Sequence, residues 1–126
     1  EVGYASSGAC STCHSKEFAK WVFTDHANAW QSLIIRNSQD NPECIQCHTT
    51  GFGEVGGLGE LTDSNIRRLK SVQCESCHGP LKGHPDAPHV QAKPITPKTC
   101  LPCHDEANSP NFDFGPYLSK AKCQMD

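Results

Sequence analysis

Four copies of one pattern, Cys-x-x-Cys-His, carry the chemistry of this chain. They are Cys10, Cys13 and His14; Cys44, Cys47 and His48; Cys74, Cys77 and His78; and Cys100, Cys103 and His104. C-x-x-C-H is the attachment signature of c-type haem. Two thiols three positions apart each bond one vinyl group of the same porphyrin, and the next residue brings its imidazole to the iron as proximal ligand. With 9 Cys and 7 His in 126 residues, random ordering would yield roughly 0.04 copies. A disulfide framework or zinc sites also use C-x-x-C. Neither requires a His after every second Cys. The expected cofactors are therefore four covalently bound haem c groups with their iron.

Each iron has a second axial position, and three histidines remain to fill them: His26, His84 and His89. An isolated His is ordinarily a core or surface residue, but here four irons compete for three imidazoles. Seven His cannot fill eight axial positions, so at most three haems are expected to be bis-His. Cys123, the ninth cysteine, has no partner at attachment spacing. It reads as a free thiol or an intermolecular disulfide. Thiolate ligation, or thioether ligation by Met125, is the less favoured reading.

The elements that must position these groups are short. Phe18, Trp21, Val22, Ala29, Trp30, Leu33 and Ile34 recur near helical spacing, which predicts one helix over roughly Lys16 to Arg36 with His26 at its middle. Twelve residues of continuous helix would separate His14 from His26 by about 18 Å, so His26 is expected to serve another motif's haem. Asn37 and Asn41-Pro42 end that helix. Five glycines in Gly51 to Gly59 predict a tightly turned loop, read as backbone packed close to a porphyrin face. Leu61 to Val72 predicts a second helix capped by Thr62 or Asp63. Residues 81 to 99 form a Pro-rich strap carrying His84 and His89. Glu106 to Tyr117 lacks periodicity, and a last helical turn is expected from Pro116 to Lys122.

The length suits one domain, residues 1–126. Large aliphatic residues are sparse, with Gly 10, Pro 9 and a mean hydropathy of −0.55. At about one haem per 31 residues, porphyrin faces must supply much of the apolar interior. The fold expected is mainly α with extensive irregular loops and little or no β-sheet, close to unfolded without haem. The formal charge is −3. Eight propionates and four ferric porphyrins take it to about −7, and reduction to about −11. That favours redox partner proteins with basic docking surfaces and argues against nucleic acid. No stretch approaches the 18 or so apolar residues of a membrane span. Because attachment to C-x-x-C-H happens outside the cytoplasm, the chain reads as a mature exported one, periplasmic or extracellular.

Beyond the motifs, several stretches resemble the tetrahaem cytochrome c-554/c-prime family over nearly the whole chain. They are Asp25-His26-Ala27-Asn28-Ala29, Cys47-His48-Thr49-Thr50-Gly51-Phe52-Gly53, Cys74-Glu75-Ser76-Cys77-His78-Gly79-Pro80 followed by His84, and Cys103-His104 followed by Asn108-Ser109-Pro110. The resemblance implies a compact multihaem cytochrome c fold with stacked porphyrins and an electron-transfer role. It implies that His26 serves the haem of His104, that His84 or His89 serves the haem of His14, and that the haem of His48 is five-coordinate. Longer members supply another ligand beyond the fourth motif. No His follows His104 here, leaving the other of His84 and His89 for the third haem. Two alternatives stand beside a soluble carrier. One is a subunit of an extracellular polymeric filament, which keeps homo-oligomerisation open. The other is a haem enzyme acting on a small nitrogen oxide at an open iron.

Overall fold

The computed structural model describes residues 3–87 and 89–121. Eight short helices carry these residues: α1 (Ser7–Cys10), α2 (Ser15–Trp21), α3 (Ala29–Ile35), α4 (Pro42–His48), α5 (Asp63–Leu69), α6 (Cys74–His78), α7 (Pro97–Cys100) and α8 (Phe114–Ala121). A 3-10 turn, His26–Asn28, precedes α3. Among the described residues there is no strand, only one isolated antiparallel bridge between Thr49 and Lys70. No helix there is long and apolar enough to cross a membrane.

The helix expected over Lys16 to Arg36 is broken into α2, the 3-10 turn and α3. Thr24 breaks it. Its hydroxyl donates to the Trp21 carbonyl at 2.7 Å and accepts from the Ala27 N–H at 3.3 Å. A threonine bonding locally in this way offers the backbone an alternative to the helical ladder. His26 therefore opens a turn instead of sitting mid-helix. Its carbonyl accepts from the Val72 N–H at 2.9 Å, while the Trp21 indole donates to the Val72 carbonyl at 2.8 Å.

The other boundaries follow their local signals. Asn41 caps α4 by accepting from the Glu43 N–H, with Pro42 in the first turn, where no N–H is needed. Thr62 caps α5 by accepting from the Asn65 N–H. Thr96 and Thr99 form a reciprocal capping box on α7. The last helix begins at Phe114, ahead of the expected Pro116. Pro116 lies in its first turn, the one part of a helix that tolerates proline.

One small apolar cluster sits at the centre. Trp30 and Leu33 of α3, Ile45 of α4, Leu58 of the glycine loop and Leu69 of α5 form it, with Tyr4, Cys44, Phe52 and Ile66 packed around them. Ile45, Leu58 and Leu69 are fully buried, each worth roughly 1.5–3 kcal/mol. The glycine loop makes its close approach to its own chain. A side chain at Gly57 would collide with the Gly51 carbonyl, and one at Gly51 would meet the Tyr4 ring. Gly57→Ala is expected to cost about 1–3 kcal/mol by overpacking, read as a lower guanidinium midpoint of the holoprotein at unchanged slope.

The N-terminal segment is riveted to the third motif. Gly3 accepts from the Lys82 N–H at 3.0 Å, and Ser7 donates its N–H to the Gln73 side chain at 2.9 Å. The second motif is tied to the same place. The Thr50 hydroxyl donates to the Ser71 carbonyl and accepts from the Gln73 N–H.

Candidate haem sites

Each motif is built on one turn of helical hydrogen bonding. The second and third lie wholly inside α4 and α6. The first and fourth follow α1 and α7, and there the His N–H still donates to the first Cys carbonyl, at 2.8 Å for His14 and 2.9 Å for His104. Positions i, i+3 and i+4 of a helical turn share a face. Both thiols and the imidazole of each motif therefore project together. None of the eight motif cysteines forms a disulfide among the described residues, so each sulfur can form a thioether.

The imidazoles are held by their Nδ1 atoms. His48 Nδ1 donates to the Ala29 carbonyl at 2.7 Å, and His78 Nδ1 to the Lys93 carbonyl at 3.2 Å. A carbonyl only accepts, so the proton is on Nδ1 and the Nε2 lone pair is left for a metal. His104 Nδ1 meets the Ser109 hydroxyl at 3.0 Å. His14 Nδ1 is 4.0 Å from the Glu17 carboxylate, a looser restraint. His84 has the same arrangement as His48 and His78, with Nδ1 donating to the Val90 carbonyl at 3.1 Å. His89 makes no comparable contact among the described residues.

His26 and His104 come together. Their ring centroids are 6.2 Å apart at an interplanar angle of 52°. Two metal–imidazole bonds of about 2.0 Å, with a ring radius of about 1.1 Å at each end, place centroids about 6.2 Å apart. The pair is thus spaced so that both imidazoles would reach one metal ion held between them. Burial pushes the His26 pKa down, and His104 pushes it the same way against Asp25. A neutral imidazole is the form that binds metal. Phe112 stacks on His104 at 5.2 Å, and Tyr117 meets it edge-on at 5.4 Å. These two aromatic residues, with Ser109, were not singled out as site residues from the sequence. The 112–117 spacing of two aromatics was the available signal.

The cysteines also report which motifs adjoin. The Cys10 and Cys74 thiols lie side by side. Burial first, then Cys74 and Glu75, push Cys10 up to about 11. Cys103 lies beside Cys47 and also feels Cys77; burial leads in pushing it up to about 12. The first motif thus abuts the third, and the fourth lies beside the second and the third. Cys123 and Met125 lie outside the described residues.

Comparison with known proteins agrees with this geometry. The family described as cytochrome c554 and c-prime matches residues 9–79, more than half of the chain and the first three motifs. Cytochrome c-554 of Nitrosomonas europaea is 34% identical over 86 residues, which are 56% of this chain and 36% of that protein. The match thus spans about a third of the relative's length. The structure of reduced cytochrome c554 from the same organism superposes on 100% of this chain and 86% of its own, with a TM-score of 0.76. At 20% identity that likeness is one of fold.

Proposed function

Because the chain belongs to the cytochrome c554 and c-prime family and binds four haem c groups covalently, we propose that it transfers electrons between redox partner proteins. Haem supplies an iron that gains and loses one electron. The polypeptide decides what that iron can do. Cys10, Cys13, Cys44, Cys47, Cys74, Cys77, Cys100 and Cys103 would hold the four groups, and His14, His48, His78 and His104 would each offer an imidazole to one iron. His26 would offer a second imidazole to the iron that His104 binds. His84, buttressed on the Val90 carbonyl, and His89 would do so at two others.

The 6.2 Å approach of His26 to His104 carries this reading. Two protein imidazoles on one iron exclude substrate from it, which suits electron passage and not turnover. The contacts among cysteines support a relay in which the third motif is joined to the first through Cys74 and to the fourth through Cys77, and the fourth is joined to the second through Cys47. The net charge of −3 before any propionate suits partners with basic docking faces, met in weak polar encounters. Since attachment occurs outside the cytoplasm, the periplasm is the proposed compartment. Residues 1–126 are read as one tetrahaem domain.

Coulometric titration tests the proposal, combined with paramagnetic resonance of the oxidised protein before and after nitric oxide. The expected result is four reversible one-electron equivalents per chain, mostly low-spin iron, and no turnover of nitrite, hydroxylamine or peroxide. Catalytic turnover, or fewer reversible equivalents than haems, would overturn it. A particle size that grows far beyond one chain under native conditions would move the reading to a polymeric subunit.

A further inference from the structure

Glu75 is a charged residue placed inside a haem motif, and it is 1% exposed. Its carboxylate accepts three main-chain hydrogen bonds: from Ala5 at 2.7 Å, from Ser6 at 2.6 Å and from Leu81 at 2.9 Å. Two of these donors lie at the entry to α1, which ends on Cys10. The third lies just after α6. Peptide N–H groups orient dipoles toward the carboxylate but add no net charge of their own. The Cys10 and Tyr4 side chains both feel it.

We propose that Glu75 is a positioning residue that sets both the separation and the reduction potentials of the haem pair held by the first and third motifs. One carboxylate fixes the segment before Cys10 against the helix that carries Cys74. That links the two attachment points through a single side chain. A negative charge held out of water beside both groups favours ferric over ferrous iron, because the field is weakly screened there. The two potentials are thereby held below the value the same ligands would otherwise give. The inference rests on haem attachment at these two motifs, which the mass of the intact protein reports independently of any potential.

Glu75→Gln is made in the holoprotein and Glu75→Asp beside it, each with its covalent haem count verified by mass. Potentials are resolved by spectroelectrochemistry with paramagnetic resonance at poised potentials. In Glu75→Gln, two of the four couples are expected to move upward, with the reduced-to-oxidised ratio at fixed potential rising about tenfold, or 59 mV for a one-electron couple. The other two couples stay in place. Glu75→Asp keeps the charge and is expected to leave all four near their native values. The proposal is overturned if no couple moves in Glu75→Gln, if all four move alike, or if Glu75→Asp moves as far. Hydrogen exchange in the native holoprotein is a further check that needs no variant. The Ala5, Ser6 and Leu81 amides are expected to be protected together. Exchange at the rate of free peptide would equally overturn the proposal.

Discussion

His26→Ala is expected to raise the number of haems that bind carbon monoxide by one per chain. The reduced protein takes up this ligand only where an axial position is free, so the change is a count. The substitution is local. What His26 gives the fold is its carbonyl, which accepts from the Val72 N–H, and alanine keeps that bond. What is lost is the imidazole, 6.2 Å from His104. The affected haem should turn high-spin when oxidised, and millimolar imidazole should restore the low-spin spectrum. His104 keeps its Ser109 hydroxyl contact and its aromatic neighbours, so the proximal side stays formed. Unchanged carbon monoxide uptake would show that His26 is no ligand and remove the observation on which the electron-transfer reading stands.

The second large effect is expected on removing the cofactor. With all eight motif cysteines replaced by serine, the chain should lose its cooperative unfolding transition altogether, and with it a margin of about 5–15 kcal/mol. Among the described residues the buried apolar ones are Ala29, Trp30, Leu33, Ile45, Leu58, Leu69 and Leu81. Among the described residues beyond Leu81, no side chain is buried. The strap with His84 and His89, the fourth motif and α8 thus have almost no apolar interior of their own. Ordering a backbone costs about 1–2 kcal/mol per residue, and so few buried side chains cannot offset that. Circular dichroism during heating checks it: a gradual, non-sigmoidal loss of helix is expected, and a sharp transition would refute the argument.

These contrasts show what the sequence could carry. The four motifs were legible because attachment demands fixed residues at fixed spacing. Helix starts at Asn41-Pro42 and Thr62 were legible because caps act over three residues. The break at Thr24 was hidden, since the apolar period runs through it and only the hydroxyl's bond to the Trp21 carbonyl interrupts the ladder. The approach of His26 to His104 joins positions far apart in sequence and has no periodic trace. It came from resemblance to a family, not from spacing. Glu75 was invisible for the same reason, because its donors Ala5 and Ser6 lie at separations of 70 and 69 residues.

That separation also bears on the making of the molecule. The first motif is complete 61 residues before Glu75, so a chain emerging N-terminus first outside the cytoplasm displays Cys10, Cys13 and His14 well before the carboxylate that clamps the segment ahead of them. Through that interval Ala5, Ser6 and Ser7 have no partner to fold against, and Cys10 and Cys13 stay accessible. The late arrival of the clamp leaves the attachment apparatus a window to modify the first site, and closes the segment only when the third motif is at hand.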